Sequence, residues 1–195
     1  MDGTVAVKKH AMRMTFFLGF ADNLRVRLRT FFFGARNPSM RVERGVLLKG
    51  NLSNLFIGKD VIIQAGSVIH AGGQAWCDGQ GRVEIGDGST ISPNCVLYGA
   101  GPGGILIGKR FDCGPFVGIY ASRTDYALGT GHVFKPVVIG DDVVVFSHVV
   151  ISPGVTIGDG AVIAAGAVVV SDVAAGALVA GVPASIVRAR AKHSS

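Results

Sequence analysis

Few side chains in this 195-residue chain could carry chemistry: five histidines and three cysteines stand out. An imidazole titrates near neutrality, so each histidine is a candidate proton carrier. His132 is the most suggestive, because it shares one stretch with Thr124, Asp125 and Tyr126. His148 sits at a turn and reads as structural, His70 as a solvated turn residue, and His10 and His193 lie in the chain ends. The spacing of His70, His132 and His148 does not suit a metal site, and no metal is expected. Cys77, Cys95 and Cys113 form an odd, sparse set without C-x-x-C spacing. That argues against a disulfide framework or a zinc site and fits a reducing compartment. Gly99-Ala100-Gly101-Pro102-Gly103-Gly104 lacks a following Lys-Ser/Thr and a helix, so it reads as a turn and not a phosphate loop.

The elements that position these residues follow from a period of six. Ile57, Ile63 and Ile69 form one run; Ile85, Ile91 and Leu97 a second; Ile107, Cys113 and Ile119 a third. Ile139, Val145, Ile151, Ile157, Ile163 and Val169 then follow without a break. Small residues or valine recur four positions after these leads, with Phe111 the exception. A period of six excludes the 3.6 of an α-helix. It predicts a parallel β-helix: six residues per short strand and turn, three strands per triangular 18-residue coil, and the lead residue pointing inward. Each inward Ile or Val contributes ~1.5–3 kcal/mol on burial.

The interruptions are as informative as the repeat. Extra residues separate Ile69 from Ile85, Leu97 from Ile107, and Ile119 from Ile139, each time after the third strand of a coil. Three protruding loops, 71–84, 99–105 and 122–137, should therefore leave the same corner and stack along one edge. The first carries Gln74, Trp76 and Cys77; the third carries Thr124, Asp125, Tyr126 and His132. Loops on a rigid scaffold are where function concentrates, so this edge is the candidate site.

Composition bounds the rest. Hydrophobic residues make up 49% and charged residues 16% of the chain, which excludes disorder. Glycine is abundant but without the triplet of collagen. The apolar run Met14 to Phe20 is soon followed by Asp22, far short of the ~20 residues of a membrane span. Residues 1–44 hold nine Lys/Arg and three Asp/Glu; the remainder holds ten of each, so the whole excess of +6 sits in the N-terminal segment. A neutral body argues against nucleic acid. Residues 11–35 mix cations with aromatics and fit either a helical cap on the first coil or peripheral contact with a membrane surface. The expected organisation is a basic, partly helical cap (1–44), a β-helix (45–182), and a short C-terminal helix from Pro183 to Ala191 followed by a mobile tail.

The stretch from Pro136 to Gly166, with Ile139-Gly140-Asp141-Asp142, Ser152-Pro153-Gly154 and Ile157-Gly158-Asp159-Gly160, and the closing Val179-Ala180-Gly181-Val182-Pro183-Ala184, resemble the hexapeptide-repeat acyltransferases. That family includes galactoside, maltose and polysaccharide O-acetyltransferases. The resemblance implies a left-handed coil, a homotrimer, and acetyl-coenzyme A lying between two subunits, near Ser147, Ala165 and Arg188. It also implies a loop histidine as general base, which deprotonates a sugar hydroxyl for attack on the thioester. Surface polysaccharide is one such acceptor, and the implied location is cytoplasmic, at or near the inner face of the membrane.

The chain departs from the family pattern at three places. The position expected for the histidine holds Thr124, followed by Asp125-Tyr126, and threonine is no general base. His132 is either its substitute, with Asp125 orienting it or the acceptor, or a surface loop histidine. Val170-Ser171-Asp172 stands where the family shows Thr-Lys-Asp, and Ser185 where it shows a cation; Arg190 and Lys192 remain nearby. Three readings therefore stand: O-acetyl transfer to a sugar, N-acyl transfer to an amino sugar, and a trimeric scaffold that has lost the chemistry.

Overall fold

The computed structural model describes residues 24–125 and 131–189. The strands assemble into an eight-, a six- and a five-stranded sheet, referred to below as the first, second and third faces. Successive coils pair in parallel, and the pairing puts the hexad leads in register. On the first face, Val42, Ile63, Ile91, Cys113, Val145, Ile163 and Val179 stack. On the second, the column is Leu48, Ile69, Leu97, Ile119, Ile151 and Val169. On the third it is Ile57, Ile85, Ile107, Ile139 and Ile157, continued by Val173. Nearly all of these side chains are buried and form one continuous core. The architecture is the left-handed parallel β-helix of the expectation.

Turn chemistry explains the Ile-Gly-x-Asp pattern. At the corner between the third and first faces, Asp87, Asp141 and Asp159 accept hydrogen bonds from the backbone N–H groups of Lys59, Lys109 and Asp141 in the preceding coil, each at 2.8 Å. A Cβ on Gly58, Gly108 or Gly140 would run into those carboxylates, so glycine at these positions lets one coil's aspartate close the previous turn. Phe111, the bulky exception, is fully buried. Its N–H donates to the hydroxyl of Ser89 in the neighbouring coil.

Both ends of the prism are covered. Residues 24–36 form a helix against the first coil. Leu47–Gly50 is the edge strand of the second face, and its free backbone groups would invite other chains. Leu48 N–H donates to the Thr30 hydroxyl at 3.0 Å, and the Arg29 guanidinium donates to Gly50 C=O at 2.9 Å. Leu24, Leu28, Phe31 and Phe32 face outward on the same helix. The ladder already begins at Arg41–Val42, inside the segment expected to be cap. Residues 1–23, which include the first half of the basic aromatic segment, lie outside the described residues.

At the other end the expectation is corrected. Ser185–Ala189 is a strand, antiparallel to Ala177–Ala180, and not a helix. Two physical reasons account for it. Ile186 and Val187 are β-branched and suit a pleated strand. Ala177–Ala180 would otherwise present an unpaired ladder edge, which the returning chain satisfies. The tail from Lys192 to Ser195 lies outside the described residues.

Candidate functional site

The three loops follow Val68–Ala71, Val96–Tyr98 and Gly118–Tyr120, adjacent strands of the second face, and so do share one corner. They are bound to one another. Gly101 N–H donates to Gln80 C=O at 3.0 Å, Arg82 N–H to Gly99 C=O at 3.0 Å, and Val137 N–H to Gly104 C=O at 3.0 Å. Within the first loop, the Cys77 thiol is buried and donates to the carbonyls of Gln74 and Gln80, pinning a single 3₁₀ turn, Ala75–Cys77.

The third loop is more ordered than a plain loop. Ser122–Thr124 and His132–Phe134 form an antiparallel hairpin with Ser122 opposite Phe134 and Thr124 opposite His132. Alternation along a strand puts these four side chains on one face of the hairpin and Arg123 and Val133 on the other. Asp125 N–H donates to Gly131 C=O at 2.8 Å beyond the last pair. Tyr126 lies outside the described residues.

The hairpin's inner face lands on aromatic rings. His132 lies 4.5 Å from Trp76, centroid to centroid, and Phe134 lies 5.8 Å from Trp76 with ring planes 14° apart. Trp76 is in turn 6.3 Å from Tyr98 and nearly parallel to it, at 5°. Tyr98 packs on His70 at 4.8 Å and donates its hydroxyl to Gln74 Oε1 at 2.9 Å. His70 is therefore no solvated turn residue: it is 7% exposed, and its Nδ1 has no hydrogen-bond partner. Burial, reinforced by nearby Lys49, pushes its pKa below the usual histidine value. His132, by contrast, stays exposed at the rim.

The cofactor candidates occupy a different corner. Ser147 C=O accepts from Gly166 N–H at 3.0 Å, so Ser147 and Ala165 lie on neighbouring coils between the first and second faces. Strand Val150–Ile151 starts from that corner and pairs with Gly118–Tyr120, which ends at the loop edge. The chain thus carries Ser147 and Ala165 at one end of the second face and His132 with Thr124 at the other. Arg188 sits opposite Leu178 on the terminal strand. His148 belongs to the Ser147 corner, with φ of +61° and its ring stacked on Phe116 at 4.9 Å. His148 is thus at a different corner from His70 and His132.

Tyr98 and Phe134 were missed by the sequence reading. A signal existed for Tyr98: His70, Tyr98 and Tyr120 each follow the lead residue of the third strand in a coil, and the register places them side by side. Phe134 depends on the hairpin and carried no such mark.

Comparison with known proteins agrees with this geometry. The family model described as "Bacterial transferase hexapeptide (six repeats)" matches residues 136–171. A hexapeptide-repeat-containing acetyltransferase from Vibrio cholerae O1 biovar eltor, solved with acetyl-coenzyme A, is 30% identical. The match covers 76% of this chain and 72% of that one, with a TM-score of 0.52. The chain belongs to the hexapeptide-repeat acyltransferase family. Two further likenesses bear on the fold alone. The N-acyltransferase AntD from Bacillus cereus, solved as a point mutant with dTDP and coenzyme A, is 21% identical at a TM-score of 0.67, covering 78% of this chain and 84% of that one. A maltose O-acetyltransferase from Clostridium difficile 630 is 22% identical at 0.51, covering 80% and 72%. No curated protein sequence matches the chain significantly. Among the described residues, no helix of this acyltransferase is long and apolar enough to cross a membrane.

Proposed function

We propose that this acyltransferase moves an acetyl group from acetyl-coenzyme A to a hydroxyl of a sugar, with His132 as general base. The observation that carries the reading is the pairing of His132 with Thr124. A side chain one strand across lies ~5 Å away on the same face, which supports His132 as the substitute for the histidine that the family resemblance expects at Thr124. The acetyl-coenzyme A and coenzyme A bound in the solved relatives support the donor. The maltose O-acetyltransferase and the dTDP complex of AntD support a sugar or sugar-nucleotide acceptor.

The chemistry closes without a metal ion. The neutral imidazole accepts the hydroxyl proton as the oxygen attacks the thioester carbonyl. The tetrahedral oxyanion takes hydrogen bonds from backbone N–H groups. Collapse expels the thiolate, which takes the proton back from the imidazolium and leaves as coenzyme A. Because Ser147 and Ala165 lie at the far end of the second face from His132, the proposal includes a homotrimer. In it the pantetheine corner of one protomer meets the loop edge of the next.

A thiol-release assay with acetyl-coenzyme A and a panel of sugars tests the reading. His132→Ala should lower turnover by roughly 10²–10⁴-fold while leaving coenzyme A affinity in place. Full turnover in that variant would remove His132 from the base role.

A further inference from the structure

Trp76 is the chain's single tryptophan, and it is 38% exposed at the tip of the first loop. An exposed indole on a loop is usually free to move, but this one is held from several directions. Its turn is pinned by the buried Cys77 thiol. Its ring lies in a terrace with Tyr98 and Phe134, the planes within 5° and 14° of parallel. The second loop seats the hairpin: a Cβ on Gly101 would collide with the Phe134 ring, so only glycine lets the strand settle there. The outcome is a partly exposed indole held among stacked rings at the rim of the loop corner, with the His132 imidazole 4.5 Å away.

Ser122, Thr124 and Gln74 supply uncharged polar groups around this terrace, His132 and His70 supply imidazoles, and Lys49 lies beside His70 at the far end of the row. Ser122, Thr124 and His132 share the hairpin face with Phe134, while Arg123 projects from the opposite face. Gln74 receives the Tyr98 hydroxyl on its Oε1, which leaves its amide N–H₂ to donate. His70, whose Nδ1 is the one buried side-chain polar atom without a partner among the described residues, closes the row against Tyr98. A nucleotide would need cations beside the indole for its phosphates, whereas Lys49 lies next to His70 at the other end of the row. A pyranose needs an apolar face for its axial C–H groups and neutral donors and acceptors for its hydroxyls.

We propose that Trp76 is the stacking platform for the acceptor, a neutral pyranoside whose C–H face lies on the indole and whose reacting hydroxyl points to His132. The site rests on the acyl-transfer reading above and names its acceptor subsite. Nothing in the repeat itself requires a tryptophan at this position, since the coil core is already complete beneath it.

The lone tryptophan makes binding visible without turnover. Methyl glucopyranoside, methyl galactopyranoside and maltose are titrated into the full-length protein while Trp76 emission is followed, with thymidine and dTDP as competing probes. Saturable quenching or a blue shift by at least one pyranoside, at lower concentration than by thymidine, is expected. Tighter response to thymidine or dTDP than to every pyranoside overturns the assignment, as does no response to any sugar that the enzyme acetylates. In the thiol-release assay, Trp76→Ala should raise the acceptor KM at least about tenfold, with coenzyme A affinity by calorimetry unchanged, and Trp76→Phe should recover most of the loss. An unchanged acceptor KM in Trp76→Ala overturns the platform while the acyl-transfer reading stands. Pyranoside binding through Trp76 with no acyl transfer to any acceptor sinks the enzymatic reading and leaves the platform standing.

Discussion

Thr124 and His132 form a non-local pair in sequence but a direct one in space, eight positions apart and opposite each other on the hairpin. Such an arrangement permits the base to be moved from one strand to the other. The double variant Thr124→His/His132→Ala should recover at least about tenfold of the turnover lost in His132→Ala, read as kcat in the thiol-release assay. If the transferred imidazole restores nothing, the two positions do not serve the same acceptor hydroxyl. His70 makes a separate claim at this scale. Its pKa in the fold is depressed by burial first and Lys49 second. Between that lowered value and the ordinary ~6.5 of an unfolded chain, the unfolded state binds more protons than the native one. Stability therefore rises with pH across this window, and it falls as pH drops from about 6.5 through the folded pKa. Urea midpoints measured from pH 7.5 to 5 should show this loss in the wild-type protein, and His70→Phe should flatten it. Equal slopes in the two proteins would place the pH dependence elsewhere.

Loops and strands answer to different constraints, and Gly101 sits where they meet. Its φ is +92°, and a Cβ there would strike the Phe134 ring. Gly79, with φ of +71°, has open space around it. Both substitutions to alanine carry the cost of a left-handed backbone, so their difference isolates the displacement of Phe134. Gly101→Ala should lower turnover about tenfold more than Gly79→Ala and red-shift Trp76 emission, because the hairpin lifts from the terrace and a small misplacement of a base is costly. Matching effects at the two glycines would deny the loop-to-hairpin seating any part in catalysis. These contacts also mark where sequence reading stops. Ile57, Ile85 and Ile107 announced the third face because a core column repeats with the coil, and excess length announced the loops. Trp76 and Phe134 are 58 positions apart and meet only because stacked coils bring separate loops to one corner. No local pattern carries that information. Ser185–Ala189 failed for the opposite reason. Pro183 and the alanine-rich end looked locally helical, yet the unpaired edge of Ala177–Ala180 decided the conformation.

At the level of the whole molecule, the two halves of the proposed site lie at opposite ends of one face of the prism, so the proposed reaction requires assembly of more than one chain. The corner that carries Ser147 and Ala165 also displays Phe116 and Phe146, exposed by 52% and 51%, with the His148 ring stacked on Phe116. His148 N–H donates to Pro115 C=O, which joins the two coils that present these rings. Large apolar side chains left open beside the proposed donor corner mark an interaction surface. Sedimentation equilibrium should give about three times the 20.2 kDa chain mass. Phe116→Ser/Phe146→Ser should shift it toward a single chain while circular dichroism keeps its β spectrum, because neither ring belongs to the inward columns. Acyl transfer should fall with the trimer and return as protein concentration rises, since mass action repopulates the complete site. A double variant that sediments as a monomer and still turns over at the wild-type rate would mean that one protomer holds donor and base together, contrary to the separation of Ser147 and His132 along the second face.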